Sequence, residues 1–300
     1  MQREKNCPSA LPEFSGRAGN CNILFPFPPG GIPEKIPPFI SGYHLEDFCG
    51  QGGISEVWKG RDSSGKEFAF RLVYKKKNPE SWQDDRENFL LYGKNIPPHR
   101  NLAKLIDWGE KRDFCYFVLP LADNLFPGKK YLADTLGARL KKPSFFPFSS
   151  RQIFFIIRSV CSGVFHLHRN GFSHNDIKPE NIFFAKKEPI LADFGLGGPC
   201  SRKVHSGTAG YFPPWDPASG RERDLYAIGK ILYALFSGKD PSEYPLLPEK
   251  SLLPGEILSF FNSLVYRACG RPGEKRFADV EDLGKELREG EKVFFPPGKK

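Results

Sequence analysis

His174-Asn175-Asp176-Ile177-Lys178-Pro179-Glu180-Asn181 decides how this chain is read. A carboxylate, a lysine two residues on and an amide five residues on form a compact polar loop after a segment with helical spacing. Phosphoryl transfer needs such a set: an acceptor for a hydroxyl proton, a cation for the charge in transit and a neutral oxygen for a metal. A polar surface turn is the plain alternative. Asp193-Phe194-Gly195 follows 17 residues after Asp176, at the end of the apolar run Ile190-Leu191-Ala192. A carboxylate placed there can hold Mg²⁺ against phosphate oxygens. Upstream stands Gly50-Gln51-Gly52-Gly53-Ile54-Ser55-Glu56-Val57. Glycines between two strands let backbone approach a phosphate chain without interference from Cβ atoms, although a glycine-rich hairpin is also a common turn.

The pattern around these motifs predicts two unlike halves. Segments 43–50, 54–60, 67–74 and 114–119 carry short or alternating apolar runs and predict strands, with a helix over 81–93. From about 149 onward helical spacing dominates. Ser149 or Ser150 caps a helix to about His168, with Ile153, Ile156, Ile157, Val160 and Val164 along it; others are expected over 224–236, stopping at Gly238, and over 255–268 and 279–289. The expected fold is α+β and bilobal: residues 41–120 form a small β-rich lobe with one helix, and 121–290 a larger, mainly helical lobe. Residues 1–40, rich in Pro, Gly and Asn, read as an irregular lead-in, and 291–300 as a basic tail.

Composition narrows the function classes. The 300 residues are 39% hydrophobic with 28 Phe, enough for a sizeable aromatic core. The net charge of +9 is scattered, its densest clusters being Lys75-Lys76-Lys77, Lys129-Lys130, Lys141-Lys142 and Lys299-Lys300. That distribution reads as solvated surface, and no nucleic-acid partner is expected. Seven cysteines include no Cys-x-x-Cys pair, which argues against a zinc ribbon and for reduced thiols. No apolar run approaches the roughly 20 residues of a spanning helix, and no signal-peptide pattern opens the chain. A soluble cytoplasmic protein is the expectation.

Taken in order, the glycine-rich hairpin, a strand cation, a helix acid, the His-x-Asp-x-Lys-x-x-Asn loop and Asp-Phe-Gly resemble the eukaryotic-like (Hanks-type) Ser/Thr protein kinase family over residues 43 to 290. The resemblance implies ATP and Mg²⁺ as cofactors and a protein bearing Ser or Thr as substrate. Gly50, Gly52, Gly53 and Val57 match the glycine-rich loop, with Val57 against adenine. Ala69 and Arg71 match the Ala and Lys of the third strand, and Glu87 matches the helix glutamate. Leu119 falls near the gatekeeper, ahead of Leu121 in the adenine-holding hinge. Asp176 matches the catalytic base and Lys178 its partner, a lysine at the site that differs in tyrosine kinases. Asn181 and Asp193 match the metal ligands. Gly207-Thr208-Ala209-Gly210-Tyr211 resembles the stretch that seats the substrate hydroxyl. Asp224, expected to open its helix, resembles the aspartate that supports the catalytic loop, and Arg276 the late structural arginine.

Four positions depart from the family pattern. Arg71 replaces lysine, a planar fork in place of a compact ammonium, with Lys59 on the preceding strand as a substitute cation. Ser55 replaces the third loop glycine. Asn175 replaces the arginine that pairs with an activation-segment phosphate, so activity is expected not to depend on that phosphate. Pro213-Pro214-Trp215 stands where Ala-Pro-Glu is usual, leaving Arg276 to solvent, to Glu222 or Asp216, or to stacking on Trp215. The first reading is a Ser/Thr protein kinase; Arg71 and the altered Pro-Pro-Trp motivate a second, a pseudokinase serving as a binding or scaffolding module. A third, a small-molecule phosphotransferase, fits the Gly-Thr-Ala-Gly-Tyr and Asp-Phe-Gly stretches poorly. Ser201 or Ser206 is expected to accept autophosphorylation.

Overall fold

The computed structural model describes residues 35–76, 79–202, 207–217, 219–247, 253–270 and 275–296. Most of the N-terminal lead-in, the last four residues and Ser206 lie outside the described residues.

Alternation of side chains builds the first half. Strands β1 (Tyr43–Gln51), β2 (Ser55–Asp62), β3 (Glu67–Tyr74), β4 (Asp107–Glu110) and β5 (Phe114–Leu119) form one antiparallel sheet in the order β1-β2-β3-β5-β4. In β3, Phe68, Phe70 and Leu72 join Leu45, Trp58 and Val118 in a core on one face. Ala69, Arg71 and Val73 therefore project from the other face, because successive strand residues point opposite ways. Register sets Arg71 between Val57 and Phe117, and Ala69 opposite Leu119. At the β2–β3 turn Gly65 has φ +84°, and the Asp62 carboxylate accepts from Ser64 N–H and Lys66 N–H at 2.8 and 3.1 Å. Such a local cap fixes the register of the hairpin.

Helix α1 (Pro79–Asn95) lies against this sheet. Its buried positions are Asp85, Asn88, Phe89 and Tyr92, spaced i, i+3, i+4 and i+7. Glu87, two residues past Asp85, falls on the opposite side and is exposed.

The second half is helical. After the short α2 (Leu136–Leu140) comes α3 (Ser150–Arg169), opened by a reciprocal Ser149–Gln152 capping box. Ile153, Ile156, Ile157, Val160, Val164 and Leu167 form its inner stripe. Helix α4 (Gly220–Ser237) is buried along almost its whole length and ends at Gly238 in the left-handed conformation, φ 69°. It starts four residues before Asp224, because the Ser219 hydroxyl caps it by accepting from Glu222 N–H; Asp224 sits within the helix and does not open it. Helices α5 (Gly255–Cys269) and α6 (Val280–Phe294) pack on α4 and α3. Two small pairings complete this half, β6 (Phe172–Ser173) with β9 (Gly198–Pro199) and β7 (Ile182–Ala185) with β8 (Glu188–Leu191), the latter ending in the apolar run ahead of Asp193. Together they clamp residues 174–181 and 193–195 side by side.

Candidate active site

Asp224 organises the polar loop. Fully buried in α4, its carboxylate accepts from the backbone N–H of His174 at 2.8 Å and of Asn175 at 2.7 Å, and lies 2.9 Å from His168 Nε2. A buried carboxylate is tolerated only when its oxygens are so occupied. The His174 ring is set by two neighbours: Nε2 faces the Ala192 carbonyl at 2.9 Å, and Nδ1 accepts from Asp176 N–H at 3.3 Å. A carbonyl only accepts, so Nε2 carries the proton.

Asp176 ends up among three donors. Oδ1 accepts from the Thr208 hydroxyl at 2.8 Å, while Oδ2 lies 2.8 Å from Lys178 Nζ and 3.2 Å from Asn181 Nδ2. Lys178 Nζ also donates to Thr208 Oγ1 at 3.0 Å. Asn181 Nδ2 donates further to the Asp176 carbonyl at 2.8 Å, which turns Oδ1 of the amide the other way. That oxygen is buried and has no hydrogen-bond partner among the described residues. Burial pushes the Asp176 carboxyl up from the ordinary aspartate value, against the pull of Lys178.

The Asp-Phe-Gly stretch meets α1 and β3. Phe194 is fully buried, stacked on Tyr92 at 3.6 Å between ring centroids and touching Phe89 and His174 at 6.2 and 5.2 Å. Asp193, at φ +69°, turns its carboxylate onto Arg71 Nη1. The other terminal nitrogen of Arg71 donates to both oxygens of Asp85, at 3.2 and 2.8 Å. One guanidinium thus bridges two buried aspartates, one from each terminal nitrogen of its planar fork, a wider span than the compact ammonium of a shorter lysine offers. Burial raises the Asp85 carboxyl, against Arg71 and with the help of nearby Asp193. Burial also pushes Asp193 upward, but Arg71, Lys178 and His174 outweigh it and hold that carboxyl below its usual range.

The assignment of Glu87 as the helix acid is therefore corrected to Asp85. The residue one methylene shorter than glutamate pairs with the cation longer than lysine. Gly195 makes room for the pair: a Cβ there would overlap Asp85 Oδ1. Asn88 Nδ2 donates to the Gly195 carbonyl at 2.6 Å and fixes the same approach. Gly195→Ala is expected to cost about 1–3 kcal/mol by overpacking, read as a lower midpoint of thermal unfolding. An unchanged midpoint would contradict this account of the contact.

The cleft between the two halves is lined by Cys49, Val57, Ala69, Arg71, Leu119, Leu121, Ala122, Tyr131, Thr135, Phe183, Ala192 and Asp193. Val57, Ala69, Arg71, Leu119, Leu121 and Asp193 thus line one cleft. Gly50, next to last in β1, lies opposite Val57; Gly52 and Gly53 lie in the adjoining turn, where Gly52 N–H donates to the Ser55 carbonyl at 2.8 Å. Cys49, Tyr131, Thr135 and Phe183 had not been singled out. Phe183 follows Asn181 by one strand period, a signal that was legible; Tyr131 sits in an irregular stretch with none. Lys59 pairs with Glu67 at 2.6 Å, so the place between the aspartates belongs to Arg71.

The remaining departures find local answers. Arg276 pairs with Glu222 at 2.8 Å; Trp215 Nε1 donates to the same carboxylate at 3.0 Å, and the guanidinium lies 5.9 Å from the Trp215 ring. The acid has moved from the Pro-Pro-Trp position to the first turn of α4. Asn175 donates from Nδ2 to the Leu196 carbonyl at 3.1 Å. Arg202 ties the segment after Asp193 to α1, donating to Asn88 Oδ1 at 2.8 Å and lying 3.3 Å from Asp84. Ser201 beside it is exposed.

A five-stranded sheet with one helix, joined to a helical lobe, with Asp193 lining the cleft and Asp176 bonded to Asn181 in the loop clamped alongside, defines the bilobal protein-kinase-like class. Residues 43–249 match the family model of the protein kinase domain, and the chain belongs to that family. It is 27% identical over 301 residues to a probable serine/threonine-protein kinase of Dictyostelium discoideum, fhkC, covering 85% of this chain and 47% of the relative. It is 27% identical to calcium/calmodulin-dependent protein kinase type 1 of Caenorhabditis elegans, covering 77% and 63%. To the liver/testis phosphorylase b kinase gamma catalytic chain of Bos taurus it is 30% identical, covering 68% and 52%. The chain thus spans from about half to just under two thirds of the length of these relatives. Among the described residues no helix is long and apolar enough to cross a membrane.

Proposed function

We propose that this chain is a serine/threonine protein kinase that transfers the γ-phosphate of ATP to a protein hydroxyl. The observation that carries the reading is the Asp176 carboxylate held among Lys178, Asn181 and the Thr208 hydroxyl. Thr208 shows that a hydroxyl can donate to this carboxylate at 2.8 Å with an ammonium 3.0 Å from its oxygen. A substrate hydroxyl taking that place would be oriented by Asp176, which accepts its proton as the bond to phosphorus forms. Lys178 stabilises the charge that develops on the transferred group. Val57, Ala69, Leu119 and Leu121 give an apolar slot for the adenine, and Arg71 stands at its inner end, toward the phosphates.

The residues fit a divalent metal. Asn181 Oδ1 and the Asp193 carboxylate are hard oxygen donors, and the former is buried without a partner among the described residues. Bound there, Mg²⁺ would neutralise charge on the phosphate oxygens. The unpaired state of all five described cysteines supports a reducing, cytoplasmic setting.

One observation favours a second reading, a nucleotide-binding pseudokinase: Arg71 occupies the carboxylate of Asp193. Labelled ATP with a basic protein rich in Ser and Thr separates the two. Transfer above an Asp176→Asn control is expected for the kinase; binding of nucleotide with no transfer would replace it by the second reading.

A further inference from the structure

Between the hinge at Pro120–Ala122 and α2 the chain makes a hairpin that no motif announced. Asn124 and Ala133 bridge, and Leu125 N–H donates to the Leu132 carbonyl at 2.8 Å. The Asn124 side chain ties the loop internally, accepting from Leu132 N–H at 3.1 Å and donating to the Lys129 carbonyl at 2.9 Å. Its base is anchored by Asp123 N–H on the Phe184 carbonyl at 2.6 Å. Gly128, at φ +78°, makes the reversal that a side chain would resist.

This hairpin returns Tyr131 to the cleft. The ring packs on Cys49 of β1 and Val57 of β2, a separate apolar cluster of the sheet. The hydroxyl donates to the Ala122 carbonyl at 3.2 Å, and Lys59 Nζ lies 5.3 Å from the ring centroid. One side chain therefore joins both strands of the glycine-rich hairpin to the hinge. Thr135, two residues past Ala133, continues the same wall.

We propose that Tyr131 is a strap across the mouth of the nucleotide pocket, which closes over the base of a bound nucleoside triphosphate and limits its entry and release. The ligand in this statement rests on the function proposed above; the strap itself rests on the contacts of Tyr131. Opening must break one hydrogen bond and separate the ring from Cys49 and Val57, so pocket access is a local opening equilibrium.

Cys49 reports on that opening. It lines the pocket beneath Tyr131, and burial pushes its thiol up to about 12, so alkylation proceeds through the open form. Iodoacetamide labelling of the full chain, followed by peptide mass spectrometry, compares wild type with Tyr131→Ala and Tyr131→Phe. Tyr131→Ala is expected to label Cys49 roughly tenfold faster, and Tyr131→Phe, which loses only the hydroxyl bond, a few-fold faster. Buried Cys115, Cys161 and Cys269 should stay slow in each. If those thiols accelerate in Tyr131→Ala through loss of the fold, Tyr131→Phe carries the test. Equal Cys49 rates in wild type and the folded variants would overturn the strap. ATP with Mg²⁺ should slow Cys49 labelling in wild type; acceleration by the variants without that protection would uphold the strap and count against the nucleotide.

Discussion

Arg71→Lys is expected to lower phosphate transfer by about 10²-fold, Asp85→Glu to lower it comparably, and the double variant to recover most of the loss. The guanidinium of Arg71 holds Asp85 through one terminal nitrogen and Asp193 through the other. A lysine reaches less far and offers a point charge in place of a fork. It would leave one of two buried carboxylates unpaired, a change worth about 3–5 kcal/mol in stability. The reacting phosphates would be misplaced as well, and a displacement of ~1 Å costs on the order of 10²-fold in rate. Glu in place of Asp85, with Arg71 retained, crowds the space where Gly195 already lacks room for a Cβ. Lengthening the acid while shortening the base restores the span. Transfer rates and unfolding midpoints of the four proteins form a double-mutant cycle, and a coupling of about 0.5–3 kcal/mol is expected. Arg71→Lys faster than wild type would show instead that the arginine is a defect and not half of a matched pair.

Asp176→Asn carries the second large effect, a loss of roughly 10²–10⁴-fold in turnover from removal of the proton acceptor. Asparagine keeps an oxygen for Lys178 or Thr208, so the fold should survive with an unchanged circular-dichroism spectrum. The pH profile of the wild type adds a second reading of the same group. Burial raises the Asp176 carboxyl above its ordinary 3.8, so as pH falls it takes up a proton earlier than a free aspartate does. The protonated form cannot accept, and the rate must fall on the acid side while the pH is still above the ordinary aspartate range. Asp85, raised in the same direction, weakens its hold on Arg71 there and steepens that limb. A rate flat into the ordinary aspartate range, or Asp176→Asn with near-normal turnover, would remove Asp176 from the proposed role.

How far the sequence led depended on whether a residue's position follows from local spacing. The loop 174–181 is contiguous, so Asp176, Lys178 and Asn181 were legible as a group. Strand alternation likewise places Ala69 and Arg71 on one face. The helix acid is two residues from Glu87 because Asp84, Asp85 and Glu87 crowd one turn, and only Asp85 faces the sheet. The spacing of Asn88, Phe89 and Tyr92 already favoured Asp85. Two features were beyond local pattern. Glu222 reaches Arg276 only because α4 begins at a Ser219 cap and returns its first turn toward the segment holding Trp215. Tyr131 reaches Cys49 through a hairpin whose order comes from Asn124 side-chain bonds and not from apolar periodicity. Strand β4, an edge strand reading Asp107-Trp108-Gly109-Glu110, carries too little apolar alternation to announce itself.

On the proposed function, Asp176, Asn181 and Asp193 together grip a metal-bound nucleotide in the cleft. Calorimetric titration of ATP into the full chain, with Mg²⁺ and with a chelator in its place, tests it most directly. Binding is expected to be markedly tighter with Mg²⁺ and to lose that difference in Asp193→Asn. Binding of equal strength with and without Mg²⁺, or no binding under either condition, would contradict it.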